Sequence, residues 1–406
     1  MKITIILHRP NRQSTKIRKN GKKASAKQHY FCKNCFWLLV LCMLCTQCMR
    51  VTHGPYLCDM TADGVTVVWT TGKKGTGRVE LMANEADTAT RICYAATAGH
   101  IRAARTLHHV RINGLQPGAT YRYRVCSRRT DPIMHTLSYG RTAASSNFSF
   151  TTHAQEAKDI SFLILNDIHS RAKFMNDLCR AVNFKALDFV CFNGDMWEWM
   201  MNRRTIFKDC MDVAVELFAT ETPLVFNRGN HETRGPYAEF LPDYFPTRTG
   251  QVYGMFSAGN VCFLTLDCGE DKEDSHREYF GLAAFDTYRE EEAAWLKQCV
   301  ETEEFKTAAA RVVFLHIPPT ASGGHGSKHL EKILMPILNK ANIDIMFAGH
   351  NHRYSYHEPN ERATFPIVVN GNNTYVLCTI KNGSMEINIT GQNPSGNHII
   401  IKSIAK

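Results

Sequence analysis

Eight residues of this chain, arriving in five short blocks, carry the nitrogen and oxygen donors that hold metal ions. They are Asp167 and His169 in NDIH, Asp195 in NGD, Asn230 and His231 in GNHE, His316 closing RVVFLH, and His350 and His352 in GHNH. Carboxylate, amide and imidazole together form a hard-to-borderline set suited to zinc, manganese or iron, and unsuited to a thiolate site. The donors are too many for one ion. Two ions about 3.5–4 Å apart, sharing a carboxylate and a hydroxide, would use them all and would clamp a phosphoryl group for hydrolysis. Gly194, Gly229 and Gly349 lie beside these residues, where tight turns bring backbone close to the ions.

Each block directly follows an apolar run of strand length: ISFLIL (160–165), DFVCF (188–192), PLVFN (223–227), RVVFL (311–315) and IDIMFA (343–348), with VCFLTLD (261–267) as a sixth strand. Helix-period segments at 172–184, 206–219, 288–302 and 327–340 alternate with them, which is an α/β pattern. In an open α/β sheet the carboxyl ends of adjacent strands converge on one crevice, so the eight donors are expected to point at one place. Beyond Thr364 the chain returns to strands divided by Asn/Gly turns, and an antiparallel portion is expected to close the sheet. Upstream, VTVVWTT (65–71), RVELM (78–82), HHVRING (108–114), TYRYRVCS (120–127) and NFSFTT (147–152) are short β-rich runs between turn signals. They argue for an antiparallel sandwich that packs and positions the rest or binds carbohydrate or a surface. The polar connector HAQEAKD (153–159) marks the boundary, giving a leader at 1–49, a β module at 50–153 and a catalytic domain at 158–406.

Lysine and arginine total 48 against 38 acids, a formal +10, but eleven of the bases and none of the acids fall in residues 1–50. The remainder, 37 bases against 38 acids, is near neutral and offers no bulk charge for a nucleic acid. The leader runs from a basic stretch into the apolar segment FWLLVLCML (36–44), too short to span a bilayer, and reads as a secretory signal peptide. Export to the periplasm, cell envelope or exterior follows, either by simple cleavage or with a lipid anchor on Cys45 or Cys48. Cys32/Cys35 and Cys42/Cys45 imitate a zinc spacing, but the gap between the pairs is short and the second pair lies in the apolar run. Most of the ten later cysteines sit in strand-like runs as small hydrophobes, and a Cys93–Cys126 disulfide is one open pairing.

The segment GLQPGATYRYRV (114–125), with its Pro-Gly turn before a tyrosine-rich strand, is similar to fibronectin type III modules; with GPYL (54–57) and VVWTT it resembles the N-terminal domain of purple acid phosphatases. The ordered set DxH, GD, GNHE, a strand-terminal His and GHNH resembles the calcineurin-like metallophosphoesterase superfamily. That resemblance implies a four-layer α/β/β/α sandwich preceded by an all-β fibronectin type III-like sandwich. It implies two divalent ions (iron, manganese or zinc), with Asp167, His169 and His352 on the first, Asn230, His316 and His350 on the second, and Asp195 bridging. His231 would stabilise charge beside the phosphate and protonate the leaving oxygen, and Asn230 would also touch substrate. The implied activity is hydrolysis of a small phosphate ester, foremost a monoester, by a metal-held hydroxide. A phosphodiesterase or nucleotidase on the same centre, and a non-catalytic surface-binding or adhesion protein, are the alternatives. Purple enzymes carry a glycine where this chain has His169, and a tyrosine ligand where it has Glu198. An imidazole thus replaces the phenolate, and the iron(III)-tyrosinate colour is expected to be absent.

Other side chains admit two readings each. Glu232 either orients His231 or makes a surface salt bridge; Trp197 and Trp199 either wall a leaving group or pack. His325 and His329, in ASGGHGSKH, either contact substrate or are solvated, and Arg203, Arg204 and Arg234 are candidates for phosphate.

Overall fold

The computed structural model describes residues 49–82, 88–133, 136–156, 159–381, 383–391 and 398–402. The leader, with the signal-peptide and Cys45/Cys48 expectations, lies outside the described residues. Among them, no helix is long and apolar enough to cross a membrane.

The amino-terminal part is built from β1 (Val51–Thr61), β2 (Gly64–Met82), β3 (Ala89–Tyr94), the short pair β4 (Ala96–Thr97) and β5 (His100–Ile101), β6 (Arg105–Asn113), β7 (Thr120–Ile133), β8 (Thr136–Ala144) and β9 (Phe148–Thr151). The runs at 65–71 and 78–82, expected as two strands, are one. β2 pairs with β1 and β6 along its first half and with β3 and β7 along its second, so it passes around the corner of the sandwich. Gly77 makes that passage possible: a Cβ there would stand 2.6 Å from the ring of His108 and 2.7 Å from that of Trp69. Leu57, Val67, Trp69, Val79, Ile112, Tyr123 and Val125 fill the interior. Cys93 and Cys126 are free thiols, because β3 and β7 carry them on opposite sides of β2, opposite Val79 and Arg78; the disulfide expectation is thereby corrected.

The remainder is a sandwich of two sheets. One runs β21 (His398–Lys402), β20 (Ser384–Gly391), β19 (Thr374–Lys381), β10 (Ile160–Leu165), β11 (Phe189–Asn193), β12 (Leu224–Asn227), and continues into β1 of the amino-terminal part through a parallel pairing of Cys58 with Leu224. The other runs β13 (Gly254–Ala258), β14 (Val261–Leu266), β15 (Ala310–Leu315), β16 (Ile345–Ala348), β18 (Ile367–Val369), β17 (Ser355–His357). Both faces of each central strand are buried, which is why these strands read as unbroken apolar runs. On β10, Phe162 and Ile164 face the opposite sheet while Leu163 and Leu165 face helices; on β15, Val312 and Phe314 alternate with Val313 and Leu315 in the same way. Phe162 meets Phe263 and Phe314 edge-on between the sheets, at centroid distances of 5.4 and 5.8 Å. Helix α1 (Ala172–Cys179) and a helical stretch from Arg203 to Ala219 cover one outer face, and α2 (Phe285–Cys299) and α3 (Gly324–Ile333) the other. This is the four-layer α/β/β/α arrangement.

Candidate metal centre

The candidate ligands leave the carboxyl ends of strands in both sheets: β10, β11 and β12 in one, β15 and β16 in the other. The single open crevice expected from strand order is therefore a cleft at the shared rim of two facing sheets. The turns that deliver them are strained. Ten non-glycine residues among those described have positive φ, and five are Asp167 (54°), His169 (49°), Asp195 (54°), His350 (67°) and His352 (59°). Such backbone is uncommon for side chains with a Cβ and costs of order 1–3 kcal/mol each, so its concentration here marks a place where geometry outranks local stability.

Two groups result. Asp167 Oδ1 lies 3.6 Å from His169 Nε2 and 3.3 Å from His352 Nε2, and these two nitrogens are 3.0 Å apart. Asp195 Oδ2 lies 3.0 Å from His316 Nε2, with His350 completing the second group and Asn230 Oδ1 3.0 Å from His350 Nδ1. Asp167 Oδ1 is also 3.9 Å from His316 Nε2, so the groups adjoin. The second oxygens of both aspartates and the second nitrogen of His316 are engaged elsewhere. Asp167 Oδ2 accepts from the Asn166 amide (2.6 Å) and the His350 backbone (2.9 Å), Asp195 Oδ1 from the His231 backbone (2.9 Å), and His316 Nδ1 donates to the Asn193 carbonyl (2.8 Å). Three atoms are left buried without a hydrogen-bond partner: His169 Nδ1, which lies toward Glu198, and Asp167 Oδ1 and His316 Nε2, which lie 3.9 Å from each other. Orphaned atoms of this kind need an explanation, and an ion between the last two supplies it. The electrostatics agree. Burial alone would depress His316, but the carboxylates of Asp195 and Asp167 pull it up to about 10, a pocket that draws positive charge inward. Burial and the neighbouring His316 push His350 down to about 4, leaving a neutral imidazole able to ligate. The residues fit two divalent ions.

Profiles of known families cover both parts of the chain. The calcineurin-like phosphoesterase profile matches residues 160–354, and that of the purple acid phosphatase N-terminal domain matches 56–152. This chain carries a calcineurin-like phosphoesterase domain. Purple acid phosphatases 22 and 21 of Arabidopsis thaliana are 24% and 23% identical over 264 residues, covering 61% and 62% of this chain and 53% and 54% of their own lengths. The serine/threonine-protein phosphatase CPPED1 of Mus musculus is 28% identical over 141 residues, 33% of this chain and 42% of its own. The chain spans about half the length of the curated relatives it matches. The solved structure of PhoD superposes with a TM-score of 0.56 at 14% identity, covering 86% of this chain and 88% of PhoD, and shares the fold.

Within the phosphoesterase domain, His231 sits over the centre, its Nε2 3.9 Å from Asp195 Oδ2. Its Nδ1 donates to the Glu198 carbonyl (3.0 Å), which leaves Nε2 as an acceptor 3.2 Å from Arg234 Nη1. Arg234 is itself held by Glu270 and Asp271, and Glu270 is further bound by Thr233 and Tyr279. Of the three candidate arginines, Arg234 reaches the site; Arg203 turns away to Thr106 Oγ1 (3.0 Å). Neither reading of Glu232 holds. Its carboxylate is fully buried and accepts the backbone N–H groups of Asp195 (2.9 Å), Met196 (2.7 Å), Trp197 (3.2 Å) and Gly229 (2.8 Å), tying the loop after β11 to the loop after β12. Trp197 is core, its Nε1 bound to the Ile206 carbonyl, whereas Trp199 is exposed and lines a cavity of about 730 Å³ with Arg234, Phe280 and Leu282.

Asn166, Asn193 and Asn370 carry structural roles that no motif announced. Asn166 bonds both Asp167 and Asn370, and Asn193 offers its carbonyl to His316 and its amide to the Phe347 carbonyl, joining the two sheets. A signal was present: an asparagine ends the run before both Asp167 and Gly194.

Proposed function

We propose that this chain hydrolyses phosphate esters, foremost monoesters, at a centre of two divalent ions of iron, manganese or zinc. The observation that carries the reading is the pair of buried, partnerless atoms Asp167 Oδ1 and His316 Nε2, 3.9 Å apart and beside Asp195, which His231 also approaches. When bound, the ions would polarise the phosphoryl oxygens and lower the pKa of water from 15.7 to about 7. Asp167, His169 and His352 would hold the first ion, Asn230, His316 and His350 the second, with Asp195 between. The protein's own part is positional and protonic. Arg234, fixed by Glu270, presents Nη1 at the His231 edge of the cleft, where it can donate to a phosphate oxygen. His231, fixed through Nδ1 on the Glu198 carbonyl, carries a proton at Nε2 in its cationic form and delivers it to the departing ester oxygen. Asn230, buried between His350 and the cleft, offers its amide to the substrate. Export of the chain, with or without a lipid anchor on Cys45 or Cys48, belongs to the same proposal, and fractionation of the expressing cells tests it.

Assay of monoesters, diesters and nucleotides with each metal, beside Asp195→Ala and His231→Ala, tests the activity. Monoester turnover lost in both variants is expected. Faster turnover of diesters or nucleotides would move the assignment to those substrates on the same centre. Protein that keeps no metal and hydrolyses nothing would turn it to surface binding or adhesion.

A further inference from the structure

A second group of ligand-type side chains lies apart from the cleft residues, on the helical face of the second sheet. Asp286 opens α2, and His325 and His329 project from successive turns of α3. The i, i+4 spacing puts both imidazoles on one side of the helix, the spacing used by paired histidines that grip one metal ion. His325 Nε2 stands 2.8 Å from both Asp286 oxygens, His329 Nδ1 stands 3.1 Å from Asp286 Oδ1, and the two rings stack at 29° with centroids 5.9 Å apart. One donor atom from each residue lies within 4.8 Å of the other two.

An ordinary ion-pair cluster does not account for this arrangement. His329 Nδ1 is buried and makes no hydrogen bond, although a carboxylate oxygen is near it. That oxygen already accepts from Arg289 Nη1 at 2.7 Å and pairs with His325 Nε2 at 2.8 Å. Arg289 is wholly buried and bound through Nε to the Cys268 carbonyl (2.8 Å) and through Nη2 to the Glu270 carbonyl. It therefore holds Asp286 in place, as residues behind a metal ligand do. Two imidazoles and one carboxylate, on side chains partly open to solvent, match three of the four ligands of tetrahedral zinc.

We propose that Asp286, His325 and His329 bind one zinc ion, separate from the catalytic pair. The ion would fasten α2 to α3. It would also fasten the loop carrying Glu270 and Asp271, since Gly326 N donates to the Asp271 carbonyl (3.0 Å) and Arg289 grips that of Glu270. Because Glu270 and Asp271 hold Arg234, the ion would steady the phosphate end of the cleft from behind.

The test is a zinc count. Full-length chain, stripped with chelator, reloaded with zinc and desalted, is compared with His325→Asn/His329→Asn and with Asp195→Ala. About one zinc fewer per chain is expected in the double variant, and Asp195→Ala is expected to lose zinc without losing that equivalent. Equal zinc in parent and double variant overturns the proposal. If the double variant does not fold, His329→Phe, which keeps a ring in the helix packing and removes the nitrogen, must show the same deficit, and parental zinc there overturns it. The peripheral equivalent is read independently of hydrolysis, so an inactive protein that still shows the difference would defeat only the enzymatic assignment.

Discussion

Glu198 Oε2 lies 2.8 Å from His169 Nδ1, so the two positions at which this chain departs from the purple pattern touch each other. Glu198 is half-exposed, and its carboxylate lies with donor atoms of His169 and His231 in one group within 4.8 Å. Its carboxylate stands against His169, whose Nε2 is turned toward Asp167 and His352, while its carbonyl accepts from His231. One residue thus contacts both imidazoles.

Removing that contact should weaken the proposed first metal position selectively. Glu198→Ala is expected to lower metal affinity there by roughly 10–100-fold, the usual effect of deleting a partner behind a ligating histidine. Manganese titration of the stripped protein measures it. Iron-loaded parent protein is expected to show no visible charge-transfer band, and a purple preparation would sink the assignment of His169 and Glu198.

Glu232 should matter to folding more than to substrate. Glu232→Ala leaves four backbone N–H groups without their acceptor, each worth about 1–3 kcal/mol when buried, so a loss of at least about 3 kcal/mol in urea unfolding is expected. A variant as stable as the parent would mean that the two loops hold themselves.

Glycines beside the ligands should tolerate no side chain. At Gly349 a Cβ would stand 2.7 Å from Asp167 Oδ2, and at Gly229 it would collide with Asp195 Oδ1. Gly229→Ala and Gly349→Ala are expected to fold, to bind less metal and to lose most activity. Metal content and turnover measured on the same preparation decide it.

Arg234 and Glu270 should show strong coupling. Arg234→Met strands a fully buried carboxylate, a change that typically costs about 3–5 kcal/mol. Adding Glu270→Met should recover much of the loss, and simple additivity in the double-mutant cycle would refute the pairing.

Acid should destabilise the fold through two histidines remote from the cleft. Burial pushes both His108 and His153 down to about 4 from an ordinary 6.5, so the folded state keeps them neutral while the unfolded chain protonates. Their contribution is complete above about pH 6.5 and is lost as pH falls toward 4. His153→Gln should erase about 2 kcal/mol of the stability lost between pH 7 and 4.5, since each tenfold difference in proton affinity between the unfolded and folded chain is worth about 1.4 kcal/mol. An unchanged pH slope in urea denaturation would count against it.

How much was legible in the sequence depended on whether neighbours in space were also neighbours in the chain. The six strands of the α/β core, the blocks behind them and the glycines beside them were readable, because a strand end followed by DxH or GHNH is a local pattern. The continuity of β2 was not, since Gly72 and Gly75 look like a turn until its partners on both sides are seen. Glu232 could not be assigned because its four partners come from residues 195–197 and 229, joined only when β11 and β12 align. The same is true of Arg234, selected by Glu270 and Asp271, and of Asp286, 39 residues before the histidine it meets.

The sequence alone determined that side chains of metal-ligand type would stand at strand ends, because residue type and the length of an apolar run are local properties. Tertiary structure alone decided that two facing sheets share them, that Glu198 stands against His169 and His231 while Glu232 ties two loops, and that Asp167 Oδ1 and His316 Nε2 are left without partners. Those outcomes depend on which groups desolvate together, and burial is a property of the packed chain.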